Sequence, residues 1–117
     1  MAMNWDRVWN DGRMIIDGDR DHFLSVRMYY SLGTCHMRRG YYLSVTPVRR
    51  VDRGGYAMLE MCPSDGKSVL VKSVTRRSAK ADAEASRIAD GILNMVVSEV
   101  CSKNGIDRLD VGGLISD

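Results

Sequence analysis

The chain is poor in the residues that carry specialised chemistry. Its 117 residues include two histidines, three cysteines, two prolines and one phenylalanine. Cys35 and His36 are adjacent, and no second Cys/His pair stands at zinc spacing, so a zinc site is not expected. Cys35, Cys62 and Cys101 are far apart and odd in number, which argues against a disulfide framework and fits a reducing cytoplasm. No apolar run approaches the roughly 18 residues of a membrane span. "MAMNWDRVWN" lacks a basic region followed by an apolar one, so it does not read as a secretory signal. "DRGGY" and "VGGLIS" lack the lysine and the spacing of a phosphate-binding loop. "DGDRDH" starts like a calcium loop, with Asp17, Asp19 and Asp21 spaced by two. Its sixth position is His22 rather than Gly and its twelfth is Met28 rather than Glu, so it reads as a solvated turn. Nothing brings a thiol and an imidazole together with an orienting group. These absences point to a non-enzymatic protein without a cofactor or metal.

The hydrophobic fraction is 44% and the charged fraction 27%, ordinary for a globular protein of one domain spanning 1–117. The net charge of +2 conceals an uneven distribution. Residues 1–37 carry −1, residues 38–80 carry +7 and residues 81–117 carry −4. A basic middle third bears on partners rather than on fold.

Periodicity predicts the elements. In the arm 1–16, Trp5, Val8 and Trp9 fall at helical spacing, which predicts a short N-terminal helix that anchors both tryptophans on the core. "HFLSVRMYYSL" alternates, with Leu24, Val26, Met28, Tyr30 and Leu32 on the core face. "YYLSVTPV" is a second strand that Pro47 should end or confine to an edge. "RRVDRGG" reads as a basic turn. "YAMLEM" is a third strand with Ala57, Leu59 and Met61 inward, "CPSDGK" a turn and "SVLVKSV" a fourth strand. From about Arg76 to Lys103 the period becomes helical, with Ala85, Ile88, Ala89, Ile92, Leu93, Val96, Val97 and Val100 on one face. Thr75 is the expected N-cap and Gly105 the expected left-handed stop. Residues 106–117 form a tail. The fold class is therefore α+β: a four-stranded antiparallel meander packed on one long C-terminal helix.

A sheet with one face on a helix leaves its other face to water or to a partner. That face is expected to carry Arg27, Tyr29, Tyr42, Ser44, Thr46, Tyr56, Met58, Leu70 and Lys72. Arg38, Arg39, Arg49, Arg50 and Arg53 stand in turns at its ends, and Lys67, Arg76 and Arg77 complete the basic set. Guanidinium groups bind phosphates or guanine edges and aromatic rings stack on bases, so the mixture suits nucleic acid. Tyr, Met and Arg are also enriched in protein interfaces. The partner is thus a nucleic acid or a protein, and a homodimer formed through edge strands or those tyrosines stays open.

The stretch "DGKSVLVKSVTRRSAKADAE" (65–84) resembles the arm-type, AP2-like DNA-binding domains of phage and transposon integrases, in which a small antiparallel sheet enters the major groove and a helix backs it. In that resemblance Asp65-Gly66-Lys67 is the hairpin turn, Val69 and Val71 lie on the last strand, Thr75 caps the helix, and Arg76, Arg77 and Ala79 open it. It implies DNA rather than RNA as the ligand. A double-stranded-RNA-binding domain is similar at the same junction. The chain departs from both in its fourth strand, its tryptophan-bearing N-terminal segment and the acids at 82, 84 and 90. In size and style it is also similar to phage-encoded inhibitors, including anti-CRISPR proteins. That implies the alternative function: binding a host protein and blocking a nucleic-acid-handling complex.

Overall fold

The computed structural model describes Trp5, residues 14–17 and residues 22–106. Among the described residues, five strands, β1 (Met14–Asp17), β2 (His22–Ser31), β3 (Gly40–Arg53), β4 (Tyr56–Met61) and β5 (Lys67–Lys72), precede one long helix, α1 (Ala79–Asn104). A single 3-10 turn, Pro63–Asp65, separates β4 from β5. All strand pairings are antiparallel, and α1 covers one face of the sheet, so the fold class is α+β. No helix among the described residues is long and apolar enough to cross a membrane. The helix expected in the arm 1–16 falls mostly outside the described residues, and residues 14–16 belong to a strand instead. The tail beyond Ile106 also lies outside them.

The core follows the alternation. Leu24, Val26 and Met28 of β2 and Tyr41, Leu43 and Val45 of β3 are buried against Ala81, Ala85, Ala89, Leu93, Val96, Val97, Val100 and Cys101 of α1. Each fully buried Leu or Val contributes about 1.5–3 kcal/mol relative to exposure. Val69 and Val71 of β5 and Trp5 pack at the margin, and Trp5 Nε1 donates to Asp90 Oδ1 at 3.1 Å. Ile88 and Ile92, expected on the buried face, are only half-buried, whereas Ala81, Ala85 and Ala89 are buried.

The strand order corrects the meander. β3 is 14 residues long and spans about 45 Å. Its first half pairs with β5 (Tyr42 opposite Leu70, Leu43 opposite Val69) and its second half with β4 (Val48 opposite Met61, Arg53 opposite Tyr56). The segment read as a turn, "CPSDGK", with Asp65-Gly66-Lys67 as the hairpin turn of the resemblance, is therefore a jog along one edge of β3, and the third and fourth strands follow each other rather than pair. Pro47 sits inside β3 without ending it. In an extended strand the N–H and C=O of one residue point to the same edge, and the Pro47 carbonyl accepts from Cys62 N at 2.9 Å. The missing proline donor thus faces the point where the chain leaves the ladder for the 3-10 turn. The basic turn also contracts. Residues 49–53 stay in the strand, and only Gly54-Gly55, with φ of 57° and 95°, makes the reversal, as a two-residue hairpin turn requires.

Because β3 runs past the helix, β4 and the end of β3 project as a two-stranded arm. Ala57 and Leu59, expected inside, are exposed, Leu59 at 57%. Continuous register also moves Tyr56 and Met58, paired with Arg53 and Val51, to the same side of the sheet as Tyr41 and Leu43. They do not share a face with Tyr29 and Tyr42.

The helix starts three residues later than expected. Ser78, not Thr75, is the N-cap: its hydroxyl accepts from Ala81 N at 3.0 Å, satisfying one of the unpaired amides of the first turn. Thr75 lies in the exposed bend before it. Gly105 ends the helix in the left-handed conformation, as expected.

Candidate nucleic-acid interface

The outer sheet face is less available than its sequence suggests. Arg27 lies over the Tyr29 ring, its guanidinium carbon 5.7 Å from the centroid. Tyr29 in turn stacks on Tyr42 at 5.6 Å and 16°. Tyr42 is only 7% exposed, and its hydroxyl donates to the Arg38 carbonyl at 2.7 Å. Ser25 and Val48 on the same face are buried completely, and Thr46 is half-buried. A stacked and buried tyrosine has no free face for a base, so Tyr42 supports this surface rather than reading a ligand.

Three of the expected basic ligands are engaged by acids of α1. Lys67 pairs with Glu99. Lys72 pairs with Glu84 at 2.7 Å; the register shift opposite Tyr41 and Tyr42 turns it from the outer face toward the helix. Arg77 pairs with both oxygens of Asp82, at 3.1–3.4 Å. Asp82 also accepts from the Tyr41 hydroxyl. Burial first, and that hydrogen bond second, push Tyr41 up to about 12, and the Asp82 carboxylate raises Arg77. The Lys72 ammonium holds the Glu84 carboxyl below its ordinary value. Carboxylates of α1 thus neutralise Lys67, Lys72 and Arg77 of the basic middle.

On the projecting arm, Arg49 and Arg53 share Glu60, at 3.7 and 3.1 Å. Arg50 is exposed and has no carboxylate partner among the described residues. Tyr56 at 71%, Met58 at 50% and Leu59 at 57% exposure complete the arm.

The positive charge without a carboxylate gathers at the opposite end of β3. Arg38, Arg39 and Arg76 line an open depression of about 650 Å³ with Ser73, Val74 and Thr75. No acid lines it among the described residues. Its walls are tied by specific bonds. Arg39 Nε donates to the Leu32 carbonyl at 2.9 Å and its Nη1 to the Thr75 carbonyl at 3.3 Å. Ser73 Oγ donates to the Arg39 carbonyl at 3.4 Å, and the Tyr30 hydroxyl donates to the Val74 carbonyl at 3.3 Å. At the crossing, Gly40 has φ of +152°, and a Cβ there would lie 2.4 Å from the Lys72 carbonyl oxygen. Only glycine permits that approach.

Arg76 thus lines the depression, whereas Arg77, its neighbour, is paired with Asp82. Arg38 and Arg39, expected in a turn at the end of the sheet, meet Arg76 only in the folded chain. Their one sequence signal is the run Arg38-Arg39-Gly40, since nothing in the sequence states that this loop meets residues 73–76. Comparison with protein-family models, with curated proteins and with solved structures found no match to this chain.

Proposed function

We propose that this chain is a non-enzymatic binding protein for nucleic acid, DNA in preference to RNA, acting in the cytoplasm. The observation that carries the reading is the depression in which Arg38, Arg39 and Arg76 meet without a carboxylate, while Lys67, Lys72 and Arg77 each have one. Arginine forks retain their charge at any physiological pH and match phosphate oxygens in geometry. Arg50 on the arm, with Arg27 and Tyr29 on the sheet between, would extend the contact. Titration with single strands, duplex DNA and duplex RNA over a range of salt tests this. Binding should weaken with salt, and Arg76→Glu or Arg50→Glu should reduce the slope by about one unit for each phosphate no longer neutralised. If none of these binds tighter than about 100 μM near physiological salt, the reading fails.

A second reading is an inhibitor, phage-borne in style, that docks on a nucleic-acid-handling protein of a host. The exposed Tyr56, Met58 and Leu59 of the arm favour it, since such side chains anchor protein interfaces. In that case Tyr56→Ala would abolish binding to the partner, and affinity for bare nucleic acid would be negligible.

A further inference from the structure

We infer that the Arg38–Arg39–Arg76 depression seats a terminal phosphate, that is a phosphate monoester, rather than a length of phosphodiester backbone. The inference rests on the nucleic-acid reading above and specifies what its most basic site takes.

The limits of the charge carry the argument. Three arginines surround one depression, but the next cation before Ser73 is Lys72, bound to Glu84, and the next after Arg76 is Arg77, bound to Asp82. A strand that followed residues 72–77 through the depression would meet a neutralised pair on either side, Lys72 with Glu84 and Arg77 with Asp82. A compact dianion gathers the whole available charge at one point.

The form of the site agrees with its charge. About 650 Å³ lies within the usual range for small-ligand sites, roughly 300–1,000 Å³, so a phosphate can enter with its attached nucleoside. Arg39 is oriented in advance. Its Nε and Nη1 are fixed on the carbonyls of Leu32 and Thr75, which leaves Nη2 for a ligand oxygen. The guanidinium groups of Arg38 and Arg76 have no partner among the described residues, and both residues are exposed, so they can close on the remaining oxygens. The floor cannot easily spread, because the Tyr30, Tyr42 and Ser73 hydroxyls tie its backbone.

The test compares one single-stranded oligonucleotide in three forms: 5′-phosphorylated, 3′-phosphorylated and hydroxyl-ended. A nucleoside monophosphate and inorganic phosphate serve as separate ligands. One terminal phosphate should tighten binding by about tenfold or more, the value of an added charge-assisted hydrogen bond. Arg38→Gln and Arg76→Gln should each remove most of that gain. Neither guanidinium supports the fold, whereas that of Arg39 does, so these variants and not Arg39→Gln decide the matter. If hydroxyl-ended and phosphorylated strands bind equally, the terminal-phosphate inference is overturned while the nucleic-acid reading stands. If the monophosphate binds but no oligonucleotide does, the phosphate seat stands and the nucleic-acid reading falls. If nothing binds, both fail.

Discussion

Replacing Tyr41 with phenylalanine isolates one buried hydroxyl and its titration. Tyr41 is fully buried, and its hydroxyl donates to Asp82, which keeps Arg77 as a second partner. At neutral pH, removing a hydrogen bond to a charged acceptor should cost about 1–3 kcal/mol, toward the lower end because Asp82 is not left alone. The pH dependence is the sharper reading. Tyr41 titrates at about 12 when folded, against 10 for an ordinary tyrosine. The folded chain therefore holds the phenolic proton more tightly than the unfolded chain. Its contribution is complete below pH 10 and is lost as pH rises from 10 to 12, by about 3 kcal/mol in the limit and roughly 1 kcal/mol at pH 11. Urea unfolding of the natural chain and of Tyr41→Phe at pH 8 and pH 11 should show the natural chain losing about that much more. Parallel losses in the two proteins would refute the assignment of a buried, protonated Tyr41 at the helix N-terminus.

The same region yields two more expected outcomes. Ser78→Ala should lower stability by about 0.5–2 kcal/mol in denaturant titration, whereas Thr75→Ala should leave it within about 0.5 kcal/mol, since only the former hydroxyl caps α1. Gly40→Ala should destabilise by about 2–5 kcal/mol, combining strain at positive φ with a clash against the Lys72 carbonyl, and should weaken phosphate binding because the depression is built on that crossing. A Gly40→Ala protein with an unchanged unfolding midpoint would contradict the close approach.

Alternation and helical period were sufficient to find β2, the first half of β3, β5 and α1, because each buries one face and its sequence repeats accordingly. Leu24, Val26, Tyr41, Leu43 and Val69 stand where that repeat puts them. The misplacements have a common physical source. Sequence reports a strand's faces but not its length beyond the core, so Arg49, Arg50 and Arg53 read as a turn when they continue β3. It also does not report which strand fills which edge, so the pairing of β5 with β3 is not legible in it. The cap shifted because Thr75 and Ser78 are both good capping residues, and only the conformation of the bend chooses between them. The candidate site was half legible for the same reason. Composition shows a basic middle third, but Glu84 and Glu99 pair with Lys72 and Lys67 only through the packing of α1 on the sheet, and Asp82 takes Arg77 at the helix start, and no count of charges reveals these pairs.

Among the described residues, the long β3 is also the sole connection, through strand pairing, between the body and the arm. Among the described residues β4 pairs only with β3, and its side chains are mostly exposed, while β5 packs on α1 and pairs with β3. The two parts of that edge should therefore not unfold as one cooperative unit. An isolated two-stranded ribbon is only marginally stable, and a segment with little buried apolar surface opens at a small free energy. The arm can thus separate and pair again while the helix and the other end of β3 remain folded, so that adaptability and rigidity occupy opposite ends of a single strand.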